Sequence, residues 1–176
     1  MADFGEAAIA GMAIVGRLMP VSFAVIFALS GAVGPILGQN FGAQNYDRVR
    51  RGFNAALIFA AGVVLVISVV LFALRGPIAD LFTATGITRD LVYLFCGPLA
   101  LLFFFNGVLF IANAAFNNLG KPGRSTLINW TRDGVLILPV AWMFAGQFGA
   151  VGVVYAQAVV GGLVGVGLGS LLVMGQ

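Results

Sequence analysis

From Gly52 to Leu74 the chain carries no charged residue, and it contains several apolar runs of similar length, each near the roughly 20 residues that carry a helix across a bilayer. Runs of that length leave little choice of fold. In lipid every backbone N–H and C=O must be satisfied without water, and a helix does this within its own segment. The composition agrees: 61% of the 176 residues are hydrophobic, 9% are charged, and the mean hydropathy is +1.07. Those values lie far from a soluble domain. The fold class is therefore all-α integral membrane, with the lipid bilayer as its surroundings.

The same composition removes several functions. The net charge of +3 comes from cations scattered between apolar runs, the pattern of topology signals and headgroup contacts and not of a nucleic-acid-binding face. Cys96 is the single cysteine and no histidine is present, so there is no intrachain disulfide, no thiolate metal site and no usual general base. No nucleophile has an evident base, and no two carboxylates are paired within an apolar run. Asp80 and Asp90 read as loop and helix-start residues. The chain is thus expected to be no enzyme and to carry no cofactor or metal. Asp3 and Glu6 stand where a secretory signal is basic, so no cleaved signal is expected.

Apolar length, together with Gly, Pro and Asn breaks, predicts five transmembrane helices at about residues 6–37, 49–74, 88–117, 125–144 and 151–173. Pro20 makes the first either two short helices or one long kinked helix, and the lack of a polar loop favours the second. The connection holding Arg48, Arg50 and Arg51 and the one holding Lys121 and Arg124 fall on one side. The amino terminus, the connection with Arg75, Asp80, Arg89 and Asp90, and the uncharged "AGQFGA" fall on the other. The positive-inside tendency makes the first side cytoplasmic and puts the amino terminus outside. An external amino terminus and an odd helix count suit a chain that begins in mid-protein.

The polar stretch "GPILGQNFGAQNYDRVRRG", Gly34 to Gly52, reads as a helix–loop–helix turn at the membrane surface. Pro35, Gly38 and Gly42 would let the backbone bend, while Gln39, Asn40 and Asn45 would satisfy groups left open at two helix ends. Arg48, Arg50 and Arg51 open the next helix, where the dipole disfavours each cation by up to about 1 kcal/mol. Attraction to an anionic leaflet, about 1 kcal/mol per basic residue, offsets that cost and fixes topology.

"ALSGAVGPILGQNFGAQNYDRVRRG", Ala28 to Gly52, resembles the turn after the second helix of a lobe in MATE-family multidrug and toxin extrusion transporters, with its helix-GQN-x-GA-loop-helix pattern. "AAFNNLGKPGRSTLIN", Ala114 to Asn129, is similar to that family's later cytoplasmic turn, where a long helix ends in Leu-Gly-Lys-Pro. The resemblance covers essentially the whole chain. It implies two six-helix lobes, of which residues 1–176 would be the C-terminal one from helix eight to helix twelve. Helix seven and the N-terminal lobe would then be supplied in cis or by a partner subunit. It also implies a bacterial cytoplasmic membrane and export of small organic, often cationic compounds in exchange for H+ or Na+ by alternating access. Oligosaccharide and lipid flippases of the same superfamily fit "GQNFGA" less well. A truncated product that only packs with another subunit is the non-transporting alternative.

Polar residues inside the apolar runs are the candidate cavity residues. Arg17 lies about 15 Å along its helix, too deep for an easy snorkel, and needs a carboxylate, water or a kink that brings it to the outer interface. Asn129, Arg132 and Asp133, at i, i+3 and i+4, share one helix face. Asp133 is the one carboxylate deep in a predicted membrane helix. It is either a proton or cation site or the partner of Arg132 or Arg17 in a static ion pair. Asn106, Asn113 and Asn117, spaced by seven and four, form a stripe that lines a cavity or ties helices together. Gly161, Gly165 and Gly169 make two GxxxG steps suited to close packing. In one MATE subgroup the C-terminal lobe holds cation-coordinating carboxylates on helices seven and ten. Val92 to Asn117 carries no acid, which argues against a sodium site of that kind.

Overall fold

The computed structural model describes residues 6–174. Asp3 lies outside the described residues, as do the surroundings of Gly165 and Gly169. The described chain runs α1 (Glu6–Ser22), α2 (Ala24–Gly42), α3 (Tyr46–Leu81), α4 (Gly86–Leu94), a wide π-type turn (Phe95–Leu99) and α5 (Ala100–Asn118). It continues through α6 (Pro122–Trp130), a second π-type turn (Thr131–Leu136) and α7 (Ile137–Met174). Among the described residues, three runs are long and apolar enough to cross a membrane: Ala24–Gly42, Tyr46–Leu81 and Gly86–Asn118, the last kinked at Gly97.

α1 and α2 form one kinked passage. Pro20 has no N–H to offer the Gly16 carbonyl, and the helix loosens just beyond it, at Phe23 (φ −108°, ψ 21°). Direction is kept, because the Phe23 N–H still reaches the Met19 carbonyl at 3.0 Å and the Phe27 N–H reaches that of Phe23 at 3.2 Å. The passage ends at Gly42, beyond the predicted 37.

This passage lies parallel to α4–α5, with α1 on α4 and α2 on α5. At one end Thr88 Oγ1 donates to the Ala7 carbonyl at 2.8 Å. At the other, Gly38 and Gly34 lie against Asn118, so the two basic turns that follow α2 and α5 sit at the same end of the bundle. Apolar contact by itself gains little over lipid, so close approach and hydrogen bonds carry the packing. Gly11 accordingly faces Leu91, and a Cβ on Gly107 would stand 3.2 Å from Ile26 Cγ2. Midway, the Phe23 ring stacks on Phe103 at 3.8 Å and meets Phe95 edge-on at 6.4 Å, with Cys96 buried nearby in the same cluster. Val21, Ile58, Leu81 and Trp142 stay exposed on the outer surface.

Other boundaries also differ from the sequence reading. α3 starts at Tyr46, because Asn45 Oδ1 accepts the Arg48 N–H at 3.3 Å, and it runs through Gly76 and Pro77 to Leu81 instead of stopping at 74. Tertiary contact overrides the breakers there: Ala79 is fully buried, and the Arg75 guanidinium lies 4.2 Å over Phe72 and 5.4 Å over Tyr93. α6 starts at Pro122, where a proline at the first helical position forfeits no hydrogen bond. α7 includes "AGQFGA" within its bounds. Even so the chain doubles back there, since Gly152 lies against the Phe144 carbonyl, a residue about 12 Å away along a straight helix.

The "GQNFGAQN" turn also differs in detail. Asn40 Nδ2 donates to the Ile36 carbonyl at 2.8 Å, and Gln39 contributes its backbone carbonyl to the Ala43 N–H at 3.1 Å. The left-handed residue is Gln44 (φ 56°), not a glycine. Gly38 serves contact instead of bending, because a Cβ there would stand 3.1 Å from the Asn118 carbonyl oxygen. Gly42 is exposed with nothing nearby. Gln39, Arg48, Arg50, Arg51, Lys121 and Arg124 are all exposed.

Candidate functional site

The polar residues predicted on two separate helices meet along the seam between α5 and the α6–α7 run. Ser125 Oγ donates to Asn113 Oδ1 at 2.8 Å, and Asn113 Nδ2 donates to Asn129 Oδ1 at 3.1 Å. Deeper along the seam Arg132 Nη2 donates to Asn106 Oδ1 at 2.9 Å. Asn113 and Asn129 thus act as interhelical ties, one of the two roles open to the asparagine stripe. Asn117 is exposed beyond the end of the ladder.

Arg132 and Asp133 sit in the π-type turn Thr131–Leu136, closed by the Ile137 N–H reaching back to the Arg132 carbonyl. The cause is local, since in a straight α-helix the Pro139 ring would collide with the carbonyl of Val135. Asn129 and Arg132 stay on the face toward α5. Asn129 points to Asn113 and Arg132 to Asn106. Asp133 remains more open, with 60% of its side chain exposed against 18% for Arg132. Asp133 Oδ1 stands 3.7 Å from Arg132 Nε, which makes Arg132 and not Arg17 its ion-pair partner.

These groups close one end of a cleft of about 360 Å³ between α1, α4–α5 and the two arms of α7. Its polar end is Asn106, Arg132, Asp133 and Gln157, and its apolar wall includes Met12, Met19, Phe95, Phe103 and Phe110. Gly16 faces the space with nothing within 4 Å of its Cβ position, so it leaves the wall open between the two methionines. Gly161 lies beside Asn106, 3.6 Å from its Oδ1 to the Cβ position. Arg132 and Gly161 would be about 43 Å apart along a straight helix, so the fold-back of α7 creates the site. Its polar neighbour is the Asn106 side chain, a use of the glycine that GxxxG spacing does not announce.

Arg17 is exposed on α1 and does not line the cleft. Gln157, Ser125, Gly16 and the two methionines were not singled out from sequence. Gln157 had a signal, as a lone amide in an apolar run. The others become visible only once the helices are docked. Among the described residues no three His, Cys, Asp or Glu side chains gather as a metal site.

Comparison with known proteins matches the arrangement. The MatE family profile matches residues 1–143. An uncharacterized 21 kDa protein from the iaaL 5' region of Pseudomonas savastanoi is 32% identical over 89% of this chain. The multidrug export protein MepA of Staphylococcus aureus is 24% identical over 89%, and the FAD transporter of Shewanella oneidensis 25% identical over 94%. The chain spans 52%, 34% and 37% of those three proteins respectively, about half or less of their length. Among solved structures, the MATE transporter ClbM in complex with Rb+ superposes with a TM-score of 0.88 at 24% identity, over 97% of this chain and 40% of that one. The Vibrio cholerae MATE transporter VcmN gives 0.87, also at 24% identity, over 95% and 38%. The chain therefore belongs to the MatE family, whose members are membrane transporters and not enzymes.

Proposed function

We propose that this chain is the C-terminal lobe portion of a two-lobe exporter, and that the cleft beside Asn106 and Arg132 is its share of the substrate cavity. The observation that carries the reading is the cleft itself: about 360 Å³, aromatic and methionine-lined on one side and closed by hydrogen-bonded polar groups on the other. Small organic molecules with an apolar body and a polar end suit such a space. The curated relatives named for multidrug export and FAD transport point the same way. Export would run by alternating access, driven by exchange for H+ or Na+. Asp133 is the acidic residue of this cleft, and other coupling carboxylates would belong to the N-terminal lobe, present in cis or as a partner subunit. The basic turns Arg48–Arg51 and Lys121–Arg124 would face the cytoplasm of a bacterial cell.

The test is dye accumulation in a strain deleted for the gene and complemented with the natural protein or its Asn106→Leu or Phe103→Ala variant, each quantified in the membrane. Export is expected with the natural protein and to fall with both variants at equal abundance. Unchanged accumulation on deletion would leave the chain as a packing module without transport.

A further inference from the structure

The two charges of the cleft are not equally available to a ligand. Arg132 is already largely withdrawn from solvent, and its Nε is closed off without a hydrogen bond, the Asp133 oxygen at 3.7 Å lying beyond hydrogen-bonding reach. A guanidinium has five N–H donors, and among the described residues only Nη2 has a hydrogen-bond acceptor, at Asn106. That bond also fixes the Asn106 amide, with Oδ1 turned to Arg132 and Nδ2 left as a further donor. Asp133 is mostly exposed, so a ligand cation pairing with it would forfeit hydration on both sides, while the desolvation of Arg132 is already largely complete in the folded chain. The polar end of the cleft therefore holds N–H donors that have no acceptor among the described residues, next to the rings of Phe95, Phe103 and Phe110.

From this juxtaposition we infer that the cleft recognises an organic oxyanion, an aromatic or otherwise apolar body bearing a carboxylate or similar group, with Arg132 as the recognising residue. The inference rests on the reading of the cleft as a substrate cavity and departs from the cationic substrates that the family resemblance implies. The anion would meet Arg132 at its Nη end, in a two-point contact with Nη1 and the Nη2 hydrogen that Asn106 leaves free, and Asn106 Nδ2 would be a third donor. Asp133 would oppose it by holding part of the guanidinium's field. Arg132 is anchored in the cleft from Asn106, so a bound anion would meet a donor set already in place.

Three probes of one shape separate the possibilities: radiolabelled 2-naphthoate, 2-naphthamide and naphthalene-2-carboxamidine, which are anionic, neutral and cationic. Each is measured by equilibrium dialysis against the full chain in phosphatidylcholine nanodiscs, with empty discs subtracted. Naphthoate is expected to bind about tenfold tighter than naphthamide, the increment of a charge-assisted hydrogen bond, with the amidine weakest. In Arg132→Gln the naphthoate-to-naphthamide ratio falls to about one, in Arg132→Lys it is intermediate, and in Asp133→Asn it rises. A wild-type preference for the amidine that disappears in Asp133→Asn would overturn the inference and make Asp133 the recognising group. Equal binding of all three probes would overturn it while leaving the cleft as a cavity. Binding of none would remove the cavity reading itself. Loss of naphthoate binding on adding phosphatidylglycerol to the discs would assign the site to a lipid headgroup and overturn the solute assignment.

Discussion

Arg132 Nη2 donates to Asn106 Oδ1 across 2.9 Å, and this bond joins the widened turn before α7 to the middle of α5. It holds a cation at a depth where a guanidinium without partners costs several kcal/mol.

Asn106→Leu is expected to destabilise the chain by about 1–2 kcal/mol, the upper range for side-chain hydrogen bonds between membrane helices. Asn106→Leu combined with Arg132→Met should cost less than the sum of the single changes, because the second removes the cation that the first strands. Unfolding of the four proteins in detergent by SDS titration checks the cycle, and additive costs would show that the two side chains are uncoupled.

Asn113 is the centre of the second tie, accepting from Ser125 and donating to Asn129 at 2.8 and 3.1 Å. Asn113→Leu should therefore cost more than Ser125→Ala or Asn129→Leu, each of which loses about 1 kcal/mol. The same SDS titration ranks the three, and an equal or smaller loss for Asn113→Leu would contradict the geometry.

Gly38 and Gly42 belong to the same turn, yet only the first meets a neighbour. A Cβ at Gly38 would stand 3.1 Å from the Asn118 carbonyl oxygen, whereas Gly42 has nothing within 4 Å. Gly38→Val is expected to cost about 1–3 kcal/mol by forcing α2 from α5, and Gly42→Ala to stay within about 0.5 kcal/mol. Thermal unfolding in detergent measures both.

The two basic turns share one end of the bundle. In a Cys96→Ser background, single cysteines at Arg48 and Arg124 should react with an impermeant maleimide from the same face of sealed vesicles. Cysteines at Asp80 and Gln147 should react from the opposite face. Labelling of positions 48 and 124 from different faces would break the parallel placement of α1–α2 and α4–α5.

Much of the helical layout was legible beforehand, because a run such as Gly52–Leu74 has no other stable state in lipid. Asn45 and Asn40 could be assigned to the turn because their side chains act within three or four residues. The asparagine stripe and the Arg132–Asp133 pair were visible for a similar reason, since helical period places residues on faces. Arg17 shows the limit of that reasoning. Its depth could be read from the sequence, but the direction it faces depends on which side of α1 docks against α4, and Ala8, Gly11 and Val15 are the buried residues there.

The sequence alone determined that this chain is a membrane helix bundle, with its polar residues on particular faces and its basic turns grouped, because lipid imposes those features segment by segment. Which faces meet was decided only by the tertiary structure. Kinks at Phe23 and in the two π-type turns, together with the fold-back of α7 at Phe144 and Gly152, bring Asn106, Arg132 and Gln157 to one cleft. No periodicity records that meeting. It follows from close contact at glycine and from hydrogen bonds between helices, interactions that exist only after the segments have docked.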